Sequence, residues 1–545
     1  MKFFLLLLSS VFISLAWLLP IHYRPWVTYT GELFAFLSLF ALAAIYLKEK
    51  IKLPTITLPL IVLASVPLIQ YFCGELFFFD KALTSTLFVV GFWLSIVVGY
   101  NLSLEKLERE NIFTGLSYVF LMAGTATGII AICQWLTLDA YLPGMVNIQG
   151  NTRPYANFAQ PNNMATFLLM SLMACLYLYE KKKIQTKWII ACVLPIVIGV
   201  ALSQSRTSWV ACLCILVYLA YQQYRGFIRL KWYWAVAWFG LFIGLIVISP
   251  ILSQLLAQAT DAQIVQSRDV VQRATGDMSR LAIWEQMLHA IADRPWFGYG
   301  WHQTSVAYTL VSDHAQGPVW IRSAHNFIFD LILWNGLLIG LPFLAYFGYW
   351  GYQLNKQVNS VESVIGILMV GVILVHGMLE FPLFYAYFLL PMGFILGLVQ
   401  SQNTNIRSIG LSPRYLQVTF ILGVLLLAVI YRDYEVMVPK LNQSVRYEHS
   451  PEKITNQDKI YLLEEFNRRI AWIRMNPYST VSDQELARIR EIVLNYPTRY
   501  DLIKYAKVLA FNGQEKEARH QLWLLKKLHQ VDLYYASLAQ PMPSQ

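Results

Sequence analysis

Apolar runs about as long as a bilayer is thick recur along this chain, and they decide what it can fold into. "KWIIACVLPIVIGVAL", Lys187 to Leu202, is one of them. A helix needs roughly 20 predominantly apolar residues to cross the hydrocarbon core. Such runs fall near 3–20, 31–47, 55–72, 82–100, 112–136, 162–180, 187–203, 208–224, 232–252, 325–350, 362–380, 383–400 and 415–432. The expected fold is therefore all-α and polytopic, with about 13 transmembrane helices. Composition agrees: 57% of the 545 residues are hydrophobic and 14% are charged, against about 25% charged in soluble domains.

The opening segment "MKFFLLLLSSVFISLAWLLP" has the Lys2 and leucine run of a secretory signal. It lacks a small-residue cleavage site and more spans follow at once, so an uncleaved first helix is expected. Six cysteines, Cys73, Cys133, Cys175, Cys192, Cys212 and Cys214, lie mostly inside apolar runs and show no zinc-like pairing; they read as small buried hydrophobes.

The net charge of +10 is no nucleic-acid signature by itself, because its placement follows the membrane. One set of loops holds Lys2, Lys48, Lys50, Lys52, Lys106, Arg109, the lysines at 181–183, Lys187, Arg225, Arg229, Lys231, Lys356, Arg407 and Arg414. The opposite short loops hold Arg24, Lys81, Arg153 and Arg206. The richer set is expected in the cytoplasm. An odd number of spans then leaves the carboxyl terminus outside.

Residues 1–432 are expected to form the membrane domain, with external loops near 137–161 and 253–324. Residues 433–545 are charged and carry helical periodicity, as in "SDQELARIREIVLNYP". A small external domain of helical hairpins is expected there.

Polar residues at the external lips of the spans are the candidates for chemistry. Arg206, in the hairpin "LSQSRTSWV", is either a snorkelling interfacial arginine or a clamp for phosphate oxygens. Arg280, in "SRLAIWEQMLHAI", lies near a helix start, where free backbone N–H groups also attract anions; a pair with Glu285 is the alternative. Arg153 stands before Asn157, Gln160, Asn162 and Asn163, which crowd the entrance of a span and alone could be caps.

His325 and Asn326 open the apolar run "HNFIFDLILWNG". They are a helix-start histidine and a near-cap, or a general base that takes a proton from a hydroxyl. His302 and His314 share the preceding loop, but their spacing matches no metal motif. His376 and Glu380, in "VHGMLEFPL", are four residues apart and expected on one helix face. Intramembrane groups of this kind are costly unless used or paired.

Several of these segments resemble one family. "NTRPYANFAQPNNMATFL", "SQSRTSWV", "SRLAIWEQML", "RPWFGYGW", "SAHNFIFDLILWNGLLIGL" and "HGMLEFPLFYAYFLLPMGFILG" look like the bacterial O-linked oligosaccharyltransferases of the PglL/PglS type, within the O-antigen ligase and O-antigen polymerase superfamily. The resemblance runs from about residue 140 to 400. It implies a GT-C-like membrane fold in the bacterial inner membrane, with the active site and carboxyl terminus on the periplasmic side. It implies an undecaprenyl-diphosphate oligosaccharide donor and transfer en bloc to a serine or threonine of an exported protein. Type IV pilin-like proteins are frequent acceptors in that family.

The resemblance also assigns roles. His325 matches the superfamily's essential histidine, and Arg206 and Arg280 match arginines that hold the donor diphosphate. Arg153, Gln160 and Asn163 would line donor or sugar. His376, Glu380 and Asn326 would contact acceptor or support the site. No cofactor and no metal is expected. External acids such as Asp277, Glu285, Asp293 and Asp313 form no obvious DxD pair. The nearest alternatives are an O-antigen ligase, which would glycosylate lipid A core, and a polymerase, which would extend a glycan. A transporter or channel is the alternative of another class.

Overall fold

The computed structural model describes every residue except 22–24, 149–152, 159, 261–278, 315–319, 404, 406, 449, 451–452, 455–457 and 540–545. Arg24 and Asp277 lie outside the described residues. The described residues are mostly helical, and the chain divides into two compact units. The first comprises Met1–Ile61, Phe88–Gly276 and Phe347–Gly423; the second comprises Val62–Leu87, Asp277–Tyr346 and Val424–Gln545.

In chain order the long helices are α1 (Lys2–Leu18), α2 (Tyr29–Ala43), α3 (Pro59–Phe72), α4 (Phe79–Leu102), α5 (Lys106–Trp135), α6 (Pro161–Glu180), α7 (Thr186–Ser203), α8 (Arg206–Tyr224) and α9 (Trp232–Thr260). α10 (Ser279–Asp293) and the short α11 (Thr304–Leu310) follow in the loop region. Then come α12 (Phe327–Lys356), α13 (Val361–Gly377), α14 (Ala386–Gln400) and α15 (Pro413–Arg446). Each expected span coincides with one of these helices. The number of crossings is another matter. Among the described residues, nine helices are long and apolar enough to cross a membrane. α1, α13 and α14 are apolar but shorter. α8 is outside both groups, having Arg206 at its start and Gln222 and Gln223 near its end.

In the first unit, contacts between sequence-distant loops fix which ends share a face. Lys2 pairs with Glu108, Lys183 with Glu110 at 2.9 Å and Lys181 with Glu362 at 2.6 Å. Glu180 accepts the backbone N–H groups of Arg229 and Leu230, each at 2.8 Å. A two-stranded antiparallel ribbon pairs β1 (Ile51–Pro54) with β2 (Ser408–Leu411), in the register Ile51 to Leu411. The loops of the lysine-rich set therefore meet through ion pairs, hydrogen bonds and a ribbon, as the charge bias predicts. At the other helix ends, Asn157 donates to the Leu18 carbonyl at 2.6 Å and Trp17 to the Tyr387 carbonyl at 2.9 Å.

Between these ends the first unit packs by shape. Trp17 lies 4.7 Å from Phe120 and 4.8 Å from Phe167, ring to ring, and Phe158 stacks on Phe388. Such pairs add about 0.5–1.5 kcal/mol each beyond buried area. α4 and α14 cross at their glycines: a Cβ on Gly397 would lie 2.1 Å from the Ile96 carbonyl oxygen, and one on Gly99 2.3 Å from that of Phe394. Lipid supplies little hydrophobic drive between helices, so close backbone approach at small residues carries the association.

The tail forms four amphipathic helices in the second unit: α16 (Glu464–Arg474), α17 (Asp483–Asn495), α18 (Arg499–Phe511) and α19 (Glu515–His529). Ser482 and Thr498 cap α17 and α18 by accepting the N–H groups of Glu485 and Asp501. The wholly buried Asp501 accepts the Trp472 indole N–H at 2.8 Å and pairs with Arg469. This is the expected set of short helices and tight turns.

Candidate active site

Arg153, Gln160, Asn163, Arg206, His376 and Glu380 belong to the first unit; Arg280, His325 and Asn326 belong to the second. In the first unit the loop before α6 is organised by a residue the sequence did not single out. Gln134, fully buried on α5, donates to the Val146 and Ala156 carbonyls at 2.9 and 2.8 Å and accepts the N–H groups of Tyr155 and Ala156. Its amide satisfies a loop that would otherwise bury unpaired backbone. Two residues before Tyr155, the Arg153 guanidinium donates to the Ser203 and Gln204 carbonyls, both at 3.3 Å.

That contact brings Arg153 to the Arg206 hairpin. Gln204 ends α7 in a left-handed conformation, and the Ser205 N–H donates to the Ser203 hydroxyl at 3.2 Å. α8 then begins at Arg206, whose side chain is exposed. An exposed guanidinium on the first turn of a 19-residue helix adds its charge to the helix's own N-terminal dipole. The arrangement suits a phosphate.

The first turn of α6 meets His376 and Glu380 in a buried polar cluster. The Asn162 amide donates to Glu380 at 3.2 Å, and Thr166 Oγ1 lies 2.9 Å from His376 Nδ1. Asn163 reaches the Tyr387 hydroxyl at 3.5 Å. All six of these residues are buried, His376 completely. The helix itself stops at Gly377, so Glu380 is not on a continuous helical face with His376 as expected. Its N–H still donates to the His376 carbonyl at 2.8 Å, which keeps the four-residue step through a turn before Pro382. Gln160 occupies the N-cap position of α6 without a side-chain capping bond.

In the second unit His325 precedes α12 with φ 53°, in the left-handed region. Non-glycine residues rarely adopt it, and a folded chain must hold them there. The holding group is Asp330, 1% exposed in the first turn of α12. Its carboxylate accepts the Ser323 hydroxyl at 2.6 Å, the Ala324 N–H at 2.9 Å and the Thr304 hydroxyl at 2.7 Å. The Ser323 oxygen in turn accepts the His325 N–H at 3.0 Å. Asn326 caps α12 by accepting the N–H of Ile328 at 2.9 Å, which is the expected near-cap.

Arg280 is tied to the same loop. It sits one helical turn before Trp284 on α10, and the Trp284 indole donates to the Ala324 carbonyl, next to His325, at 2.9 Å. The Trp284 ring also packs on Phe329. α10 starts at Ser279, so Arg280 lies on its first turn, as expected. The candidate metal histidines part company: His302 packs tilted against Trp334 at 4.5 Å, and His314 stacks on His289 at 4.0 Å. Burial, with the charge of Lys81, pushes the His302 pKa down to about 3. Among the described residues no three His, Cys, Asp or Glu side chains form a metal-holding group.

α12 differs from the continuous span expected over 325–350. At Gly336 the backbone turns to φ 66° and ψ −178°, breaking the helix. The aromatic segment around Pro295–Gly300 fills the break. Tyr299 and Gly300 donate their N–H groups to the Leu333 and Trp334 carbonyls, while Leu337 and Leu338 donate to the carbonyls of Pro295 and Trp296, all between 2.7 and 3.3 Å. The Gln70 amide also donates to the Trp334 carbonyl. "DRPWFGYGW" is thus a splint for the helix that begins just after His325.

The chain is 38% identical over 540 residues to the general O-oligosaccharyltransferase of Acinetobacter baylyi (strain ATCC 33305 / BD413 / ADP1), across 99% of this chain and 95% of that protein. It belongs to the O-oligosaccharyltransferase family. This family member is also 26% identical over 524 residues to the ComP-specific O-oligosaccharyltransferase of the same organism, across 94% and 92% of the two chains. Three family patterns divide the oligosaccharyltransferase between them. "Protein glycosylation ligase" matches residues 154–179, "O-Antigen ligase" 190–344, and "Virulence factor membrane-bound polymerase, C-terminal" 364–540. The second contains Arg206, Arg280 and His325; the third contains His376, Glu380 and most of the tail. The protein is an oligosaccharyltransferase, which replaces the transporter reading, and the likeness extends through the tail.

Proposed function

We propose that this oligosaccharyltransferase moves a glycan en bloc from an undecaprenyl-diphosphate carrier to a serine or threonine hydroxyl of an exported protein, with a type IV pilin-like protein as acceptor. The observation that carries the reading is the docking of the Arg280 helix, through Trp284, on the backbone that holds His325. It sets a fixed cation one helical turn from the contact with a strained histidine loop. His325 accepts the hydroxyl proton as the acceptor oxygen attacks the anomeric carbon. The bond from that carbon to the diphosphate oxygen breaks, with inversion, and the lipid diphosphate leaves against guanidinium charge, the role proposed for Arg280 and for Arg206, each within its own unit. General-base assistance contributes roughly 10²–10⁴-fold, and cations aimed at the leaving oxygens supply the electrostatic part.

Arg153, hydrogen-bonded at the Arg206 hairpin, adds a further guanidinium for the donor. Gln160 and Asn163 line donor or sugar, His376 and Glu380 contact acceptor or support these residues within the first unit, and Asn326 supports the His325 loop in the second. No metal takes part. The enzyme works in the inner membrane, with its lysine-rich loops in the cytoplasm and its chemistry and tail in the periplasm. The span order and charge bias support that orientation.

The polymerase-named match over 364–540 favours a second reading, transfer to another glycan. One experiment separates them. The chain is co-expressed with a lipid-linked glycan pathway and a pilin-like acceptor, and the acceptor is weighed intact for wild type and His325→Ala. A glycan-sized gain that disappears in a variant still present in the membrane is expected. No gain on protein, with lengthened glycan or altered lipopolysaccharide instead, would move the assignment to polymerase or ligase.

A further inference from the structure

We propose that Asp330 is a positioning residue for this reaction: its buried carboxylate sets the conformation of the 323–326 loop and so the placement of the His325 imidazole. The inference rests on the reading of His325 as the base. A carboxylate buried to 1% in the first turn of a membrane helix is expensive to keep. Helix capping does not account for it, because Asn326 already accepts the Ile328 N–H. Every bond of the Asp330 carboxylate goes instead to the loop ahead of His325 or to α11: Ser323, Ala324 and Thr304.

Those three bonds have a directional consequence. Ser323 spends its hydroxyl hydrogen on Asp330, so its oxygen lone pair is turned to the His325 N–H. Thr304 is held from its other side by the Trp334 indole at 2.8 Å, which anchors the far end of the network beside the helix break. The left-handed His325 backbone is the product of this relay.

The test compares kcat, donor KM and donor-binding stoichiometry of membrane-purified wild type, Asp330→Asn and His325→Ala with one donor and one acceptor. Asp330→Asn keeps the size of the side chain and removes its charge. Its plateau kcat is expected to fall about tenfold or more, with the donor KM unchanged. Donor-binding stoichiometry is expected to stay that of wild type. A wild-type kcat, or a kcat loss matched by an equal loss of donor-binding sites, would overturn the proposal, since a merely structural loss removes binding and turnover together. Where Asp330→Asn does not accumulate, Ser323→Ala is measured instead. A kcat several-fold lower at unchanged donor KM is expected, and wild-type kcat would overturn the relay. His325→Ala distinguishes the two levels of argument. If it retains wild-type activity, the reading of His325 falls and takes this inference with it; if it is inactive while Asp330→Asn keeps the wild-type kcat, only this inference falls.

Discussion

Gly336→Ala is the substitution for which the structure dictates the largest effect from the smallest change. A Cβ at Gly336 would lie 2.1 Å from the Trp296 carbonyl oxygen, 2.2 Å from its carbon and 2.4 Å from the Phe297 nitrogen. All three are backbone atoms, so no side chain can swing aside. The left-handed backbone adds about 1–2 kcal/mol for any residue with a Cβ. Relieving the overlap means withdrawing the Pro295–Gly300 segment, whose four backbone bonds to α12 are worth about 1 kcal/mol each. The sum is about 5 kcal/mol, comparable with the whole stability margin of a typical domain. At about 2–4 °C per kcal/mol for a unit of roughly 200 residues, the thermal midpoint in detergent should fall by about 10–20 °C. Glycosylation should fall with it. Gly348→Ala is the control: it lies on the same helix and its Cβ would meet nothing within 4 Å. There an alanine should be neutral or stabilise by about 0.5–1 kcal/mol. A Gly336→Ala protein with wild-type midpoint and membrane level would refute the account of the break.

Three further outcomes are expected. His302 has a folded pKa of about 3 against an ordinary 6.5, so the unfolded chain takes the proton first. Stability is whole above pH 6.5 and is lost as pH falls toward 3, by about 1.4 kcal/mol for the first full unit; unfolding midpoints at pH 7.5 and 5.5 should separate in wild type and much less in His302→Phe. Arg206→Lys should raise the donor KM or lower kcat about tenfold or more, because an ammonium lacks the planar fork that meets two phosphate oxygens; a full kinetic comparison showing no change would return Arg206 to an interfacial role. Asp501→Ala leaves Arg469 and the Trp472 indole without their shared acceptor, and should cost the tail about 3 kcal/mol, read as earlier proteolysis of the carboxyl-terminal helices.

Much of this architecture was legible from apolar runs alone, because lipid imposes length and composition on a crossing helix before any tertiary contact is considered. Each expected span found its helix, and the loops grouped by charge are physically joined by Lys181–Glu362, Lys183–Glu110 and the β1–β2 ribbon. Helix-start logic also placed Arg280 and Asn326. The misses share a cause. Gly336 sits in "WNGLLIGL", where nothing local announces a break; its partner strand of backbone lies some forty residues upstream. Asp330 and Gln134 are single polar letters inside apolar runs, and what they hold is fixed by contacts at Thr304 or at Val146 and Ala156. The His376 and Glu380 spacing was read as a helical face, but Gly377 ends the helix between them. Periodicity reports faces, and it is blind to where a backbone changes hands.

The break at Gly336 also bears on how the chain is inserted during synthesis. Residues 337–356 are twenty residues long and, at 1.5 Å each, measure about 30 Å, enough to cross a hydrocarbon core without help. The segment 327–335 is too short to be taken as a crossing of its own. The insertion machinery can therefore commit the later segment to the bilayer while the first turn, with Asp330, is still unassembled. The carboxylate need never pass through lipid as an isolated charge. It can wait for Thr304, Ser323 and Ala324, so the step that sets the histidine loop belongs to folding after insertion, and defects there should leave topology intact.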